Sequence, residues 1–167
     1  MHDAVPASAQ EGIPNESRVS PTGILIRSAT PADAELVDIL VREIAAHQGD
    51  HVQATAADWR SMLARADVRV LLAFEARHPV GYASTIRRLH LWSARDVITL
   101  DDLWVRAEAR DRGVGRELML AVAELAAPDR LAIVWGARAD NHAAHRFYVR
   151  IGASMTTKAM FRWSPNA

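Results

Sequence analysis

Three strand-like stretches follow one another in the middle of the chain, and this succession constrains the fold more than any other feature. They cover Val68–Ala76, Val80–Leu91 and Val97–Val105, and they are rich in branched apolar residues. Only short turns separate them, whereas a parallel neighbour would need a crossover of a dozen or more residues. The sequence therefore predicts an antiparallel meander.

Helices are predicted on both sides of the meander in the sequence. Before it, a strand at Ile24–Arg27 leads into the helix start Thr30-Pro31-Ala32-Asp33, and a second cap at Thr55 begins a shorter helix. After it, the pattern predicts a helix over 113–126, a strand over 131–137, a helix over 141–151 and a last strand over 155–163. We expect an α/β (α+β) fold with a central, mostly antiparallel twisted sheet of about six to seven strands and helices on both faces.

The length of 167 residues fits one domain. Residues 1–22 carry Pro6, Pro14 and Pro21 among small polar residues, which predicts a flexible tail. The domain is expected over residues 23–167.

Composition excludes several classes of function. The 20 basic and 20 acidic residues balance, so we expect no nucleic-acid or membrane partner. The chain has no cysteine, and the spacing of His47, His51, His142 and His145 does not suit a metal site. No secretory signal or membrane-spanning run is evident, and a cytoplasmic location is the expectation.

A loop rich in glycine and arginine connects the third strand of the meander to the next helix. It consists of Arg110, Asp111, Arg112, Gly113, Val114, Gly115 and Arg116. Glycines let backbone N–H groups close around an anion at the positive end of a helix, and the arginines add charge. A pyrophosphate suits this loop; an ordinary glycine-containing turn is the alternative.

Residues 24–163 resemble the GNAT superfamily of N-acetyltransferases. Arg110 to Gly115 matches that family's Arg/Gln-x-x-Gly-x-Gly/Ala acyl-CoA loop, except that Asp111 stands where glycine is frequent. The stretch Asn141 to Tyr148, followed by Gly152, resembles the family's Asn-x-x-Ala-x-x-Phe-Tyr signature.

The resemblance implies acetyl-CoA as cosubstrate, without a metal. It implies that the loop 110–116 binds the diphosphate and that the backbone of Leu103, Trp104 and Val105 contacts the pantetheine arm, with the Leu103 N–H polarising the thioester carbonyl. Asn141, Ala144 and Phe147 belong to the same coenzyme-binding set. Tyr148 is expected to protonate the departing thiolate, although an apolar helical stripe around it also fits a core aromatic residue.

Residues 100–105 resemble the Leu-Glu-Asp-Phe-Phe-Val stretch of diamine acetyltransferases, in which the first acid helps to deprotonate the amine. This implies Asp101 as the base, acting through water, with a structural or solvated acid as the alternative. Neighbours on a regular strand point to opposite faces, so Asp101 and Asp102 are expected on different sides of the sheet.

The predicted acceptor is a small cationic amine. The candidate substrate-binding residues are Glu43, His47, Asp50 and Asp102, which form a modestly acidic and titratable set. A protein or peptide amine is an alternative acceptor, and a non-catalytic acyl-CoA-binding module is an alternative function. The resemblance also implies a homodimer.

Overall fold

The computed structural model describes residues 17–165, and the chain divides after Val134 into two compact units. The first unit contains the strands β1 Ser17–Val19, β2 Ile24–Ser28, β3 Val68–Glu75, β4 His78–His90, β5 Arg95–Val105 and β6 Ala132–Val134. It also contains the helices α1 Ala34–Gln48, α2 Ala56–Leu63 and α3 Val114–Ala126. The second unit contains α4, His142–Arg150.

The six strands form one mixed sheet in the order of the chain, β1-β2-β3-β4-β5-β6. Strands β1 to β5 pair antiparallel, and β6 pairs parallel with β5 over Val97–Thr99. The meander predicted between residues 68 and 105 is therefore confirmed. So is the prediction of a mostly antiparallel sheet.

Helices of the first unit cover both faces of the sheet. Leu72 and Tyr82 are cross-strand partners, and both belong to a buried cluster with Val37 and Leu40 of α1. On the opposite face, a Cβ built on Gly81 would lie 3.5 Å from the Leu118 side chain of α3. Each face thus has its own apolar layer, as the two-sided helix arrangement predicts.

The start of each helix between β2 and β3 carries a threonine followed three residues later by an aspartate. The Thr30 N–H donates to Asp33 (2.8 Å), and the Thr55 N–H donates to Asp58 (2.9 Å). Arg27 also forms a two-pronged ion pair with Asp33, at 2.6 and 2.9 Å. These contacts satisfy backbone donors that a helix start leaves free.

The chain is ordered into the sheet earlier than the sequence predicts. Ser17–Val19 pairs with β2, although residues 1–22 were expected to form a tail. Arg18 explains the difference, because it forms ion pairs with Glu117 (2.9 Å) and Glu124 (2.7 Å) of α3. The tail prediction is therefore wrong for Ser17–Val19, while residues 1–16 lie outside the described residues.

The end of the chain also departs from the prediction. Strand β6 covers only Ala132–Val134 of the expected 131–137, and residues 153–164 contain no strand. The side chains of Met160, Phe161 and Trp163 are exposed. A strand is stable only with a partner, and no strand among residues 17–165 pairs with this segment, so the predicted last strand is not formed.

Candidate active site

A β-bulge lies where the two aspartates of β5 face β4. Ser84 pairs with Asp102 and Thr85 pairs with Leu100, which leaves Asp101 as an extra residue without a partner. In a regular strand Leu100 and Asp102 would share a face, but the bulge places them on opposite faces. The rule that successive side chains alternate between the two faces of a sheet therefore fails at Asp101, the residue that the sequence indicates as the base.

Asp101 is an unusual carboxylate electrostatically. Its pKa is raised above the ordinary aspartate value, first because packing removes part of its hydration and second because Asp102 is negatively charged nearby. Its carboxylate forms no hydrogen bond or ion pair with any other residue within 17–165. Asp101 can therefore take up a proton more readily than an ordinary aspartate, as a general base requires.

Asp102 is held by its cross-strand partner. The Ser84 hydroxyl lies 3.0 Å from the Asp102 carboxylate, and the Asp102 N–H donates to the same hydroxyl at 3.1 Å. Tyr82 and Trp104 pair two residues further along, on the same face. Tyr82 and Trp104 pack in the apolar cluster under α1 and α2, so Asp102 lies on the face of the sheet that these helices cover.

The predicted acceptor residues of α1 have different environments. Glu43 forms a two-pronged ion pair with Arg106 at 2.6 and 2.9 Å, so its charge is already neutralised. The His47 ring lies 4.9 Å from the Trp104 ring. Asp50 lines an open depression of about 430 Å³ at the end of α1, together with His51. Of this set, His47 is thus placed beside β5, and Asp50 lines a separate depression.

The loop before α3 has the geometry of an anion cradle. Gly113 precedes the helix with φ +90°, and nothing lies within 4 Å of a Cβ built on it. The Glu117 N–H donates to the Gly113 carbonyl (3.0 Å), so the N–H groups of residues 114–116 have no acceptor within the helix. A diphosphate fits these free donors and the open space in front of Gly113.

Asp111 is one of four residues other than glycine with positive φ in the described structure, at +59°. This is the position where the resemblance expects glycine, and a left-handed backbone explains that preference. Aspartate tolerates this conformation better than most residues. The departure therefore changes the charge of the loop but leaves its turn intact.

The three arginines of the loop differ in their partners. Arg110 lies over the Trp104 ring (4.8 Å) and donates to the Val105 carbonyl (3.0 Å). Arg112 pairs with Glu75 (2.9 Å), whereas Arg116 is 62% exposed and lies 3.5 Å from Glu117. Of the two ion pairs, the one of Arg116 is the longer, so Arg116 is less restrained than Arg112.

One edge of β5 is open beyond the short β6. Strand β6 pairs only with Val97–Thr99, while β5 continues to Val105. Among residues 17–165, no strand pairs with this edge at Leu103, Trp104 or Val105. Free backbone groups on a strand edge can bind an extended chain as an added strand, so this edge fits the predicted pantetheine contact.

The second unit carries the remaining predicted residues on one short helix. The Asn141 side chain caps α4 by accepting from the Ala144 N–H (3.0 Å). The Tyr148 ring contacts Trp135 (5.0 Å between centroids) and Phe147 (5.2 Å). Burial raises the pKa of Tyr148, which keeps the phenol protonated and able to donate.

Sequence reasoning missed three residues of the site. Tyr82 and Ser84 lie on the same face as Asp102 through strand register. Arg106 neutralises Glu43 across 63 positions of sequence. The available signal for Tyr82 and Ser84 is a Tyr-x-Ser alternation within the buried part of β4.

Within residues 17–165, no group of three histidine or acidic side chains is arranged to hold a metal ion. No helix of this part is long and apolar enough to cross a membrane.

Comparisons with known proteins agree with the geometry. A sequence profile described as the acetyltransferase (GNAT) family matches residues 34–153. The D-amino-acid N-acetyltransferase HPA3 of Saccharomyces cerevisiae is 33% identical over 97 residues, which cover 54% of this chain and 58% of that protein. The match thus spans little more than half of the curated relative.

Solved structures share the fold. An aminoglycoside acetyltransferase from an uncultured soil metagenomic sample, meta-AAC0020 in complex with sisomicin, superimposes with a TM-score of 0.76 at 15% identity and covers 84% of this chain and 95% of its own. The aminoglycoside N-acetyltransferase AAC(6')-Iy in complex with CoA gives 0.74 at 18% identity, covering 92% and 99%. At these identities the similarity concerns the fold alone.

Proposed function

This chain belongs to the GNAT acetyltransferase family, and we propose that it transfers the acetyl group of acetyl-CoA directly to a primary amine of a small cationic molecule. One observation carries the proposal: the strand β5 delivers two aspartates and an open edge immediately before the cradle of α3. A thioester bound along that edge has a proton acceptor on the same strand.

Coenzyme binding depends on backbone groups more than on side chains. The N–H groups of residues 114–116 and the space in front of Gly113 accommodate the diphosphate. The exposed Arg116 adds a charge, while Arg110 and Arg112 also hold the loop through Val105 and Glu75. The Leu103 N–H is the proposed donor to the thioester carbonyl, where negative charge develops in the tetrahedral intermediate.

Conversion of an alkylammonium to an amide removes two protons from the nitrogen, and the departing thiolate gains one. An alkylammonium has a pKa of about 10.4, so the amine must lose its first proton before the nitrogen attacks the carbonyl carbon. Asp101 takes this proton through water. As the carbon–sulfur bond breaks, Tyr148 protonates the thiolate, and the nitrogen of the intermediate gives its second proton to the Tyr148 phenolate. The products are the amide and free CoA. Because burial raises the pKa of Tyr148, its proton is retained until the thiolate forms.

A cationic acceptor is supported by the charges near the bulge. Asp101 and Asp102 are adjacent, and neither forms an ion pair with a basic residue within 17–165. Relatives described as aminoglycoside and D-amino-acid acetyltransferases act on amines. Two uncompensated carboxylates favour acceptors that bring positive charge.

Thiol release from acetyl-CoA tests this function. The purified chain is mixed with acetyl-CoA and a panel of diamines, aminoglycosides, amino acids and peptides, and products are identified by mass spectrometry. We expect acetylation of small cationic amines. Tyr148→Phe should reduce kcat by about 10²-fold or more, the usual contribution of general acid catalysis. Its CoA affinity, measured by calorimetry, serves as the control and should stay within about twofold, a free-energy change below about 0.5 kcal/mol.

Two results would contradict the proposal. Tight acetyl-CoA binding without turnover on the whole panel would indicate a non-catalytic module. Preferential acetylation of peptides would indicate a protein or peptide acceptor.

A homodimer remains a prediction from the family resemblance. It is supported by the exposed apolar side chains of the segment after α4, such as Phe161 and Trp163. Light scattering on the purified chain measures the mass directly; a monomer at micromolar concentration would contradict the prediction.

A further inference from the structure

Tyr82 is an unexplained polar residue inside the fold. It is 0% exposed, yet its hydroxyl has no hydrogen-bond partner among the described residues. A buried hydroxyl without a partner costs about 1–3 kcal/mol, and such groups call for a specific explanation. Strand register places Tyr82 on the same face as Asp102, two residues along from the Ser84–Asp102 pair. Burial first, and then the charge and proximity of the Asp102 carboxylate, raise the pKa of Tyr82. Its polar end therefore points toward the carboxylate.

Asp102 is fixed but not neutralised. Ser84, itself only 8% exposed, orients the carboxylate through the contact at 3.0 Å and receives the Asp102 N–H at 3.1 Å. No basic side chain within residues 17–165 lies at ion-pair distance. A partly buried carboxylate without a cation is costly, so a positive ligand would stabilise this position.

The neighbouring charges do not supply that cation. Glu43 and Arg106 neutralise each other, and Arg110 is held over Trp104 by its contact with the Val105 carbonyl. The His47 ring packs against Trp104 as well. Asp101 adds a second negative charge next to Asp102.

We propose that Asp102, Tyr82 and Ser84 form a subsite for a cationic group of the acceptor other than the nitrogen that is acetylated. Asp102 supplies the charge for the ammonium, and Ser84 and the buried Tyr82 hydroxyl position its carboxylate. The subsite rests on the proposed function and gives the two aspartates different roles. Asp101 takes the proton of the reacting amine, and Asp102 selects acceptors that carry a second positive charge.

A matched pair of acceptors tests the subsite. 1,4-Diaminobutane and 4-amino-1-butanol present the same reacting amine, but the second group is an ammonium in one and a hydroxyl in the other. The wild-type ratio of kcat/KM for the two should favour the diamine. Asp102→Asn should reduce that ratio about tenfold, equivalent to about 1.4 kcal/mol, mainly through KM for the diamine. Tyr82→Phe and Ser84→Ala should reduce it in the same direction by severalfold.

The control removes an equal charge elsewhere. Asp129 is exposed and pairs with Arg87, so Asp129→Asn should leave the ratio unchanged. If Asp102→Asn, Tyr82→Phe and Ser84→Ala all fold and retain the wild-type ratio, the subsite is wrong while the proposed function stands.

Calorimetry separates the subsite from catalysis. If the wild type acetylates no amine, the proposed function fails, and 1,4-diaminobutane is titrated into the CoA-saturated protein. Binding that Asp102→Asn weakens at least about tenfold, or 1.4 kcal/mol, would support the subsite. Absence of diamine binding, or equal binding by wild type and variant, would overturn it.

Discussion

At the scale of single residues, backbone conformation decides the coenzyme loop. Gly113 has φ +90° immediately before α3, where any other residue would be strained by about 1–2 kcal/mol. The same position also borders the open space assigned to the diphosphate. One glycine therefore serves both the turn and the ligand.

Gly113→Ala should lower stability and weaken CoA binding together. We expect an increase in Kd of about tenfold, equivalent to about 1.4 kcal/mol, because the added methyl group enters the space of the phosphates. Gly23 has φ +80° in the turn after β1, with nothing within 4 Å of a built Cβ. Gly23→Ala is thus the control, with similar loss of stability and unchanged Kd. Thermal unfolding and calorimetry measure the two quantities; equal Kd values in both variants would contradict the prediction.

At the scale of elements, the acid that precedes α1 links helix formation to pH. Hydrogen bonding to Arg27, more than the Thr30 contacts, lowers the pKa of Asp33 from 3.8 to about 2. A carboxylate whose pKa is depressed in the fold stabilises the fold above its unfolded pKa. This contribution is lost as pH falls from about 4 toward 2.

Asp33→Asn should cost up to about 2 kcal/mol at pH 7 and flatten the acid limb of the stability curve between pH 4 and 2. Asp58 has the same relation to Thr55 in α2 but is solvent-exposed, so Asp58→Asn should have the smaller effect. Urea unfolding over a pH series measures both variants. Parallel curves for wild type and Asp33→Asn would show that the ion pair does not contribute.

At the scale of the whole molecule, β1 is attached to α3 across 99 positions of sequence. Arg18 pairs with Glu117, whose side chain is only 8% exposed, in the first turn of the helix that forms the cradle. Without Arg18, the negative charge of Glu117 at the positive end of α3 would be compensated, among the described residues, only by Arg116 at 3.5 Å. That charge would then lie in the helix turn whose N–H groups are proposed to bind the diphosphate.

Arg18→Ala should destabilise the fold by about 1–3 kcal/mol and raise the Kd for CoA severalfold. Glu124 is Arg18's exposed partner, and Glu124→Gln should have little effect on either quantity. Restoration of CoA affinity in the double variant Arg18→Ala/Glu117→Gln would identify the charge as the cause. A failure to restore it would place the effect in the strand pairing instead.

The dependence of β1 on a helix 99 positions away illustrates why only part of the fold was predictable. Periodicity within single elements located β3 to β5 and α3, because it depends only on neighbours in sequence. The edge strand β1 escaped prediction since its support comes from α3. The segment 155–163 has a strand-like composition but lacks a strand partner among the described residues.

The candidate site was predictable to a similar degree. Two motifs indicate the loop 110–116 and Tyr148 as candidates, since each motif is contiguous in sequence. The register that joins Ser84 to Asp102 and the ion pair that neutralises Glu43 depend on pairs of distant residues. Alternation alone does not reveal that Leu100 and Asp102 lie on opposite faces, because one bulged residue changes the face of all that follow.

The bulge at Asp101 divides β5 into two parts that evolve under different constraints. Val97, Ile98 and Leu100 are buried, whereas Asp102 and the positions after it belong to the opposite register and are only partly buried. A substitution at Asp102 can alter which molecules are accepted without disturbing the packing of Val97, Ile98 and Leu100. Divergence of acceptor preference among descendants of such a chain would therefore concentrate after the extra residue, and the strand before it would change slowly.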